Sequence, residues 1–440
     1  MSHALLWFTQ DLRLDDNLLL HDLNHHQAVT CVYFMEPQWR SVNRFQCRSL
    51  GKHRQQFLLD SLHDLARQLE QLGQTLWIIE ADPQAFLSPL IAHGNLTDVY
   101  ACQSVGYNEQ QRWQRLSRAY PLIKFHSLRG PGLWQDNDLP LALDELPASF
   151  SAFRRRVEKL PVPTPIAAPS TLPKSHAALA RWLQDNAPLC RPKRSEKTFV
   201  CGGESAGQAH LTAYFADDKA LSYKHTRNEL DDFTSSTKFS PWLANGSLSP
   251  RRIVEQLKAF EARQCANEST YWIFFELLWR EYFQLYARHW GARLFAFRGI
   301  KKHAPLTTFY PERLAQWING TTPYPLVNAC MNQLRATGYM SNRGRQLVAS
   351  CLVHELQMDW RYGAAYFEQE LIDYDVASNW GNWQYLAGVG ADPRGHRHFD
   401  LTKQAALYDP LQQFTQRWRG AENCLPLDAT DAADWPLGID

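Results

Sequence analysis

Residues 160–173 read LPVPTPIAAPSTLP, and this stretch divides the chain into two parts with different hydrophobic periodicity. It contains five prolines and no charged side chain. Proline fixes the torsion angle φ and removes a backbone hydrogen-bond donor, so a segment of this composition is stiff and extended. We therefore predict a two-domain chain with an interdomain linker at residues 136–194.

The part before this stretch alternates short apolar segments with helical patterns. Helical spacing is clearest in Ser49–Leu72, where apolar residues recur at three- and four-residue intervals. Strands that alternate with helices favour a doubly wound parallel sheet, with a ligand crevice at the carboxyl ends of the strands. Residues 1–135 are therefore expected to form a five-stranded α/β domain. Its predicted strands are Ala4–Thr9, Ala28–Met35, Thr75–Glu80, Asp98–Gln103 and Leu122–Ser127.

The part after the proline-rich stretch has helical spacing throughout, with few strand candidates. We predict an all-α domain at residues 195–420, followed by a short acidic tail at 421–440. Its predicted helices are Pro250–Arg263, Tyr271–His289, Pro311–Ile318, Tyr324–Gly338, Asn342–Gln357 and Tyr362–Ile372.

Composition excludes several classes of protein. No apolar run of the 440-residue chain approaches the roughly 20 residues of a membrane helix, which argues against a membrane protein. The nine cysteines include no C-x-x-C pair, which argues against a disulfide framework and a zinc finger, and we expect no metal. The N-terminus lacks the basic region of a secretion signal, so the predicted compartment is the cytoplasm. No G-x-G-x-x-G follows the first strand, which argues against an NAD site.

Aromatic residues make up 12% of the chain, and 16 residues are tryptophan. These rings form either a large aromatic core or stacking faces for a planar cofactor or nucleic-acid bases. Residues 151–260 carry 17 Lys and Arg against 10 Asp and Glu. That surplus indicates either a polyanion partner or an ordinary solvated surface.

Residues 371–385 read LIDYDVASNWGNWQY and combine polar side chains with aromatic ones. The tryptophans could be core residues and the aspartates helix caps. Buried polar groups nevertheless need hydrogen-bond partners, and a polar, planar ligand would supply them. This stretch is therefore the best candidate for a ligand site.

Several long motifs in the second half of the chain resemble the photolyase/cryptochrome family, and specifically its cryptochrome-DASH branch. They are KFSPWLA at 238–244, LSPR at 248–251, ELLWREYF at 276–283, YP at 324–325, TGYMSNRGRQ at 337–346 and the block at 373–393. The resemblance extends over nearly the whole chain, including the α/β domain.

The resemblance implies that the helical domain binds one FAD. The residues matched to phosphate and sugar contacts are Tyr223, Ser236, Thr237, Lys238, Phe239 and Ser240. Those matched to the isoalloxazine and ribityl groups are Arg280, Asn342, Arg345, Asp373 and Asp375, with Arg345 and Asp373 as an ion pair. Asn379 matches the catalytic position that faces the reactive ring nitrogen of the flavin.

The resemblance also implies a tryptophan electron-transfer chain. Trp383 and Trp360 match its inner two members. Thr307 stands where the distal tryptophan is usual. Three alternatives follow: a gap shifts the match, Trp317 or a nearby tyrosine takes the place, or the chain is short.

The implied substrate is DNA, chiefly single-stranded and carrying pyrimidine dimers, with RNA as an alternative polyanion. Glu276 and Trp279 are the catalytic candidates that contact the lesion. Further candidates for nucleic-acid binding are Asn342, Gln346 and Tyr385 in the lesion cavity and Arg251, Arg252, Arg343 and Arg397 at phosphates. Asn108 and Glu109 match the site of a light-harvesting methenyltetrahydrofolate in the α/β domain.

The implied function is blue-light-dependent repair of cyclobutane pyrimidine dimers, preferentially in single-stranded DNA, by electron transfer from reduced flavin. We expect a monomer. A signalling photoreceptor would use the same flavin and tryptophans to change partner binding. A third possibility is an α/β plus α protein that binds another nucleotide without photochemistry.

Overall fold

The computed structural model describes residues 2–192, 199–391 and 397–427. It contains an N-terminal lobe built on a parallel sheet and a C-terminal lobe of helices. This arrangement confirms the predicted fold class.

The sheet has the strand order β3-β2-β1-β4-β5, and each described pair of neighbours is parallel. Its strands are β1 (His3–Phe8), β2 (Ala28–Phe34), β3 (Leu76–Ile79), β4 (Asp98–Gln103) and β5 (Lys124–Arg129). The five predicted strands are thus confirmed, although the fifth begins at Lys124 and not at Leu122. All seven residues of β2 are buried, because helices cover both faces of the sheet.

Four helices connect these strands, as the alternating pattern predicts. They are α1 (Leu18–Asp22), α2 (Lys52–Gln71), α3 (Pro83–Gly94) and α4 (Tyr107–Ala119). Leu62, Leu65 and Leu69 of α2 belong to the hydrophobic core on one face of the sheet. Leu87 and Leu90 of α3 belong to the core on the other face.

The predicted interdomain linker contains more structure than expected. Residues 161–169 have no regular secondary structure, in agreement with their proline content. The flanking residues instead form α5 (Phe150–Val157), the short strand β6 (Lys174–Ser175) and α6 (Ala177–Asn186). Strand β6 pairs with β2, and the buried residues Leu179 and Leu183 of α6 join the core beside α3. The segment predicted as an interdomain linker at 136–194 therefore contains regular structure on both sides of its proline-rich part.

Helices are the main regular structure in the described part of the C-terminal lobe, which also contains one isolated β-bridge between Thr308 and Met358. Its helices are α7 (Glu204–Tyr214), α8 (Lys219–Thr226), α9 (Ser240–Ala244), α10 (Pro250–Arg263), α11 (Glu268–Trp290), α12 (Pro311–Asn319), α13 (Pro325–Thr337), α14 (Asn342–Ser350), α15 (Trp360–Glu370), α16 (Val376–Leu386), α17 (Leu401–Tyr408) and α18 (Gln413–Arg417). The six predicted helices are all present, and a π-helical turn at Cys351–Glu355 follows α14 where one continuous helix was expected. Within the described ranges, every helix is too short or too polar to cross a membrane.

Buried ion pairs join the two lobes. The Arg251 guanidinium binds the Asp16 carboxylate through two hydrogen bonds, Nη2–Oδ1 at 2.6 Å and Nε–Oδ2 at 2.9 Å. Both side chains are buried. The neighbouring Arg252 pairs with Asp15 in the same way. Arg251 and Arg252 were predicted as phosphate contacts. Burial of Arg251 contradicts that role, and Arg252 directs its donors to Asp15 and Glu255.

We expect Asp16→Asn to lower the free energy of unfolding by about 3–5 kcal/mol, because it leaves the buried Arg251 without a counter-charge. Asparagine tolerates the left-handed backbone of residue 16, where φ is 55°. Denaturant unfolding measures the change.

The matched control for this experiment is Lys403→Ala, which breaks an exposed pair with Asp400. Exposed pairs contribute about 0–1 kcal/mol. An Asp16→Asn effect no larger than that of the control would contradict the assigned role of the buried pair.

Candidate functional site

Two adjoining cavities lie in the helical lobe. Cavity A has a volume of about 260 Å³ and cavity B of about 160 Å³. Their common wall consists of Asn342, Arg345, Asp373, Asp375 and Ser378. These residues come from α14, from the turn between α15 and α16, and from the first turn of α16.

The predicted cofactor residues converge on these cavities. Eleven of the twelve line cavity A, and the twelfth, Asn379, lines cavity B. The eleven are Tyr223, Ser236, Thr237, Lys238, Phe239, Ser240, Arg280, Asn342, Arg345, Asp373 and Asp375. Residues more than a hundred positions apart in the chain therefore face one space.

The loop before α9 holds a buried ammonium group against cavity A. Lys238 has a left-handed backbone, with φ at 51°. Its Nζ donates to Ser236 Oγ at 2.7 Å and to the Asp232 carbonyl at 3.2 Å. Burial lowers the pKa of Lys238 to about 8. An anion in the cavity would therefore be stabilised by this group and by the neighbouring hydroxyls.

Asp373 lies in the common wall, where it joins two helices. Its Oδ2 accepts from Arg345 Nη2 at 2.8 Å and from Ser240 Oγ at 2.7 Å. Its Oδ1 is buried and has no hydrogen-bond partner among the described residues. A buried acceptor without a donor is costly, so an N–H or O–H of a bound ligand would satisfy it.

Three further polar side chains of the two cavities are held by hydrogen bonds within the protein. Arg280 donates to the carbonyls of Pro131 and Leu243. Asp375 caps α16 by accepting from Ser378 N at 2.7 Å, and it also accepts from Gln284 Nε2. The Asn379 amide donates to Ala364 O at 3.0 Å. The walls are therefore preorganised before any ligand binds.

This set of groups fits FAD. The Lys238 ammonium and the hydroxyls of Ser236, Thr237 and Ser240 suit a pyrophosphate, because each is a donor toward phosphate oxygen. The unpartnered Asp373 Oδ1 suits an N–H or O–H of the flavin or its sugar alcohol.

The three tryptophans predicted to transfer electrons are all buried. Trp383 lines cavity B and packs so tightly on Gly363 that a Cβ there would lie 2.2 Å from the indole. Trp360 is fully buried and packs against Trp380, with ring centroids 5.7 Å apart. Trp317 is also fully buried, and its ring lies 6.3 Å from Trp383. Trp317 therefore packs against Trp383, the predicted innermost member, which argues against its being the distal member.

The nucleic-acid candidates divide into two groups. Asn342, Gln346, Tyr385 and Arg397 line cavity B, where Arg397 stacks on the Tyr385 ring at 4.5 Å. Trp279 lies outside both cavity linings and has one face on Phe150, at 3.7 Å between ring centroids.

Two charged candidates sit beside other cations and rings. Glu276 lines cavity A and forms an ion pair with Arg227. Arg343 stacks on Tyr408 at 4.6 Å and donates to Asn228 Oδ1 at 3.3 Å, so it is packed as well as charged. The block predicted at 373–393 lies within the described residues only as far as Ala391.

Arg227 was missed from the sequence. It lines cavity A, pairs with Glu276 and lies over the Trp272 ring at 4.4 Å. The sequence did indicate it indirectly. Arg227 follows the predicted cofactor residue Tyr223 by four positions, so the two lie on the same side of a helical pattern.

A third cavity, of about 720 Å³, lies between the lobes and is called the interlobe cavity here. It opens at the carboxyl ends of β1, β2 and β4, where the crevice of a doubly wound sheet is expected. Asn108 and Glu109 both line it. An ion pair between Glu36 and Arg112 also faces this space.

Comparisons with known proteins agree with this geometry. A family model described as DNA photolyase matches residues 4–170, and one described as FAD binding domain of DNA photolyase matches residues 272–431. A cryptochrome DASH of Vibrio parahaemolyticus is 50% identical over 99% of this chain and 97% of its own. The solved structure of a Synechocystis cryptochrome is 36% identical and superposes with a TM-score of 0.88, over 95% of this chain and 88% of the other. A class III photolyase from Agrobacterium tumefaciens is 25% identical, with a TM-score of 0.78 over 95% and 86% of the two chains.

These matches define a flavoprotein of the photolyase type, with a helical FAD-binding domain. The chain belongs to the photolyase/cryptochrome family, in its cryptochrome-DASH branch.

We expect FAD binding to the apoprotein to weaken by up to about tenfold for each pH unit above about 8, because the ammonium of Lys238 must be protonated to hold a phosphate. The direction follows from its pKa of about 8, which leaves it charged below that pH and neutral above. Quenching of flavin fluorescence, titrated at several pH values, measures the affinity.

Lys238→Gln should flatten this dependence, whereas Lys258→Gln, at an exposed position of α10, should leave it unchanged. A slope that persists in Lys238→Gln would show that another group is responsible.

Proposed function

We propose that this protein is a light-driven FAD enzyme that repairs cyclobutane pyrimidine dimers, preferentially in single-stranded DNA. The observation that carries the proposal is the common wall of the two cavities. A flavin held in cavity A would lie directly beside cavity B, whose lining can hydrogen-bond base edges through Asn342 and Gln346.

FAD, when bound in its reduced form, supplies light-driven electron donation to the dimer and takes the electron back after the ring opens. The protein positions the two partners and excludes water from the space between them. Asn342 lines both cavities, so its amide can contact the flavin side and the lesion side together. Asn379 is buried beside Trp383 in cavity B and offers a neutral amide there.

The lesion would be held by an aromatic platform and a carboxyl group. Trp279 stacks on Phe150 at 3.7 Å and lies nearly parallel to Phe283 at 5.5 Å, so the partly exposed remainder of the indole would meet a base. Tyr385 meets Trp279 edge to face, with ring centroids 6.0 Å apart. Burial raises the pKa of Glu276, while the adjacent Arg227 opposes that rise. The pair provides an acceptor and a donor for base edges at the same point.

The proposed preference for single strands is supported by the polar side chains that Gln346, Tyr385 and Arg397 bring to the lining of cavity B. Stacking on an aromatic ring contributes about 1–3 kcal/mol per base. Extraction of a lesion from a duplex costs a few kcal/mol. A lesion in a single strand needs little of that extraction energy, so a modest cavity is sufficient to bind it.

The interlobe cavity is the proposed site of the methenyltetrahydrofolate antenna. Asn108 and Glu109 reach it from the start of α4, and aromatic walls at Trp39 and Trp113 suit a flat ring system. Copurification of folate, lost in Glu109→Ala with FAD retained, would support this assignment.

A signalling photoreceptor is the second candidate. The buried contacts of Trp383 and Trp360 with other rings favour it, because such a relay supports flavin photoreduction without DNA. The deciding experiment measures light-dependent repair of a dimer-containing oligonucleotide by reduced enzyme, as single strand and as duplex, with a dark control. Repair mainly of the single strand supports the enzyme. Normal photoreduction without repair of either substrate would favour the photoreceptor.

Trp383→Phe should slow photoreduction of the bound flavin severely and leave repair by chemically reduced enzyme largely intact. The variant keeps an aromatic ring against Gly363 but removes the oxidisable indole. Absorbance under blue light and the repair assay measure the two effects. Equal loss of both would contradict a relay role.

Glu276→Gln should weaken repair while FAD remains bound, because it removes the carboxylate proposed to contact the lesion and its ion pair with Arg227. We expect oligonucleotide binding to weaken by about 1.5–3 kcal/mol, the typical contribution of a hydrogen bond to a charged group. Oligonucleotide binding and flavin content are measured together. Loss of flavin in this variant would instead assign Glu276 a structural role.

A further inference from the structure

The tryptophan relay lacks its usual outer member, and the structure shows what lies next to Trp360. Thr307 occupies the position where a distal tryptophan is usual and cannot be oxidised readily. Trp317 contacts Trp383, so it branches from the inner end. The ring that packs against Trp360 is Trp380, at 5.7 Å and an interplanar angle of 77°. An oxidised Trp360 therefore has a second indole in van der Waals contact.

Trp380 begins a directional chain of hydrogen bonds. Its Nε1 donates to the Tyr374 hydroxyl at 3.3 Å, and that hydroxyl donates to Glu368 Oε2 at 3.0 Å. Arg54 lies over the Tyr374 ring at 4.5 Å and donates to the Glu368 carbonyl at 2.7 Å. The indole thus donates a hydrogen bond to the phenol, and the phenol donates one to the carboxylate.

This order matches what tyrosine oxidation requires. A phenol loses an electron easily only when its proton can leave at the same time, because the phenol radical cation is a very strong acid. The proton therefore needs an acceptor already hydrogen-bonded to the hydroxyl, and Glu368 is such an acceptor. Burial raises the pKa of Tyr374, so the phenol keeps its proton until it is oxidised.

We propose that Trp380, Tyr374 and Glu368 form the outer end of the electron relay and finish it as a neutral tyrosyl radical. This inference rests on the proposed light-driven function. An electron passed from Trp383 to the photoexcited oxidised flavin leaves an oxidised indole, and electrons from Trp360 and Trp380 then fill that vacancy in turn. In the last step Tyr374 gives one electron to the Trp380 radical cation and its hydroxyl proton to the Glu368 carboxylate. The products are neutral Trp380, a tyrosyl radical and a protonated Glu368, so charge and atoms balance.

The end of the proposed relay faces open space. Tyr374 and Glu368 both line the interlobe cavity and are partly exposed, whereas Trp360 and Trp380 are buried. Tyr374 also lines cavity B, so it forms part of the wall between the two spaces. A small thiol that enters the interlobe cavity can return a hydrogen atom to the tyrosyl radical and leave as a thiyl radical. Glu368 then releases its proton to solvent, which restores the starting state.

The other branch provides a matched control. Trp317 contacts Tyr366, with ring centroids 5.7 Å apart, so a tyrosine ends that branch too. Tyr366 is buried at 4% exposure, and no hydrogen bond joins its hydroxyl to a carboxylate in the described part of the chain. Tyr366→Phe therefore removes a tyrosine beside the relay without removing a proton acceptor.

The test uses the holoenzyme with oxidised FAD, illuminated with blue light and then frozen for electron paramagnetic resonance. The wild type should show a neutral tyrosyl radical whose hyperfine pattern changes when the protein carries ring-deuterated tyrosine. Tyr374→Phe should abolish the tyrosyl signal, and Glu368→Gln should reduce it several-fold. Tyr366→Phe should leave it unchanged. Formation of the radical should be slower in D₂O, because a proton moves with the electron.

Four outcomes decide between the ideas. Loss of the signal in Tyr374→Phe and not in Tyr366→Phe supports the proposed exit. Loss in Tyr366→Phe alone would assign the exit to the Trp317 branch and overturn the proposal. A flavin that is reduced by light with only tryptophanyl radicals in the wild type would overturn the proposal and leave the light-driven function standing. No photoreduction of bound flavin in the wild type would remove the proposed function as well.

Discussion

The candidate site depends on the buried carboxylate of Asp373. Its bonds to Arg345 and Ser240 join α14, the start of α9 and the turn between α15 and α16. A buried charge is tolerated only when it is paired and hydrogen-bonded, so these three segments can pack in few other ways. Their fixed relation creates the wall that cavities A and B share. The proposed cofactor and substrate sites are adjacent for this reason.

The same principle operates between the lobes. The Arg129 guanidinium donates to Glu281 Oε1 at 2.6 Å, and both side chains are buried. Together with the pair of Arg251 and Asp16, this contact sets the sheet against the helical lobe. The interlobe cavity forms where the carboxyl ends of the strands meet the helices, so a ligand there would touch both lobes. Tyr374 and Glu368 bring the helical lobe's polar groups to that space.

Much of the fold could be predicted from the sequence. Parallel strands with both faces covered appear as continuous apolar runs, which is why β2 and β4 were located within one residue of their ends. Strand β6 and helix α6 were missed because two strand residues carry no periodic signal and the preceding prolines dominate the pattern. Arg251 looked like a phosphate contact because a charge in the sequence does not reveal its partner. That partner, Asp16, lies 235 positions away.

The sequence by itself determined the two-lobe architecture and the set of residues around the cofactor cavity. Hydrophobic periodicity and long motifs are properties of consecutive residues, so they can be read without knowing how the chain packs. Only the tertiary structure decided the partners of individual side chains. It placed Trp317 beside Trp383, and it connected Trp380 through Tyr374 to Glu368. The proposed direction of electron flow and the proposed transfer of a proton depend on such contacts. These contacts arise from packing between helices, and the sequence pattern describes each helix separately.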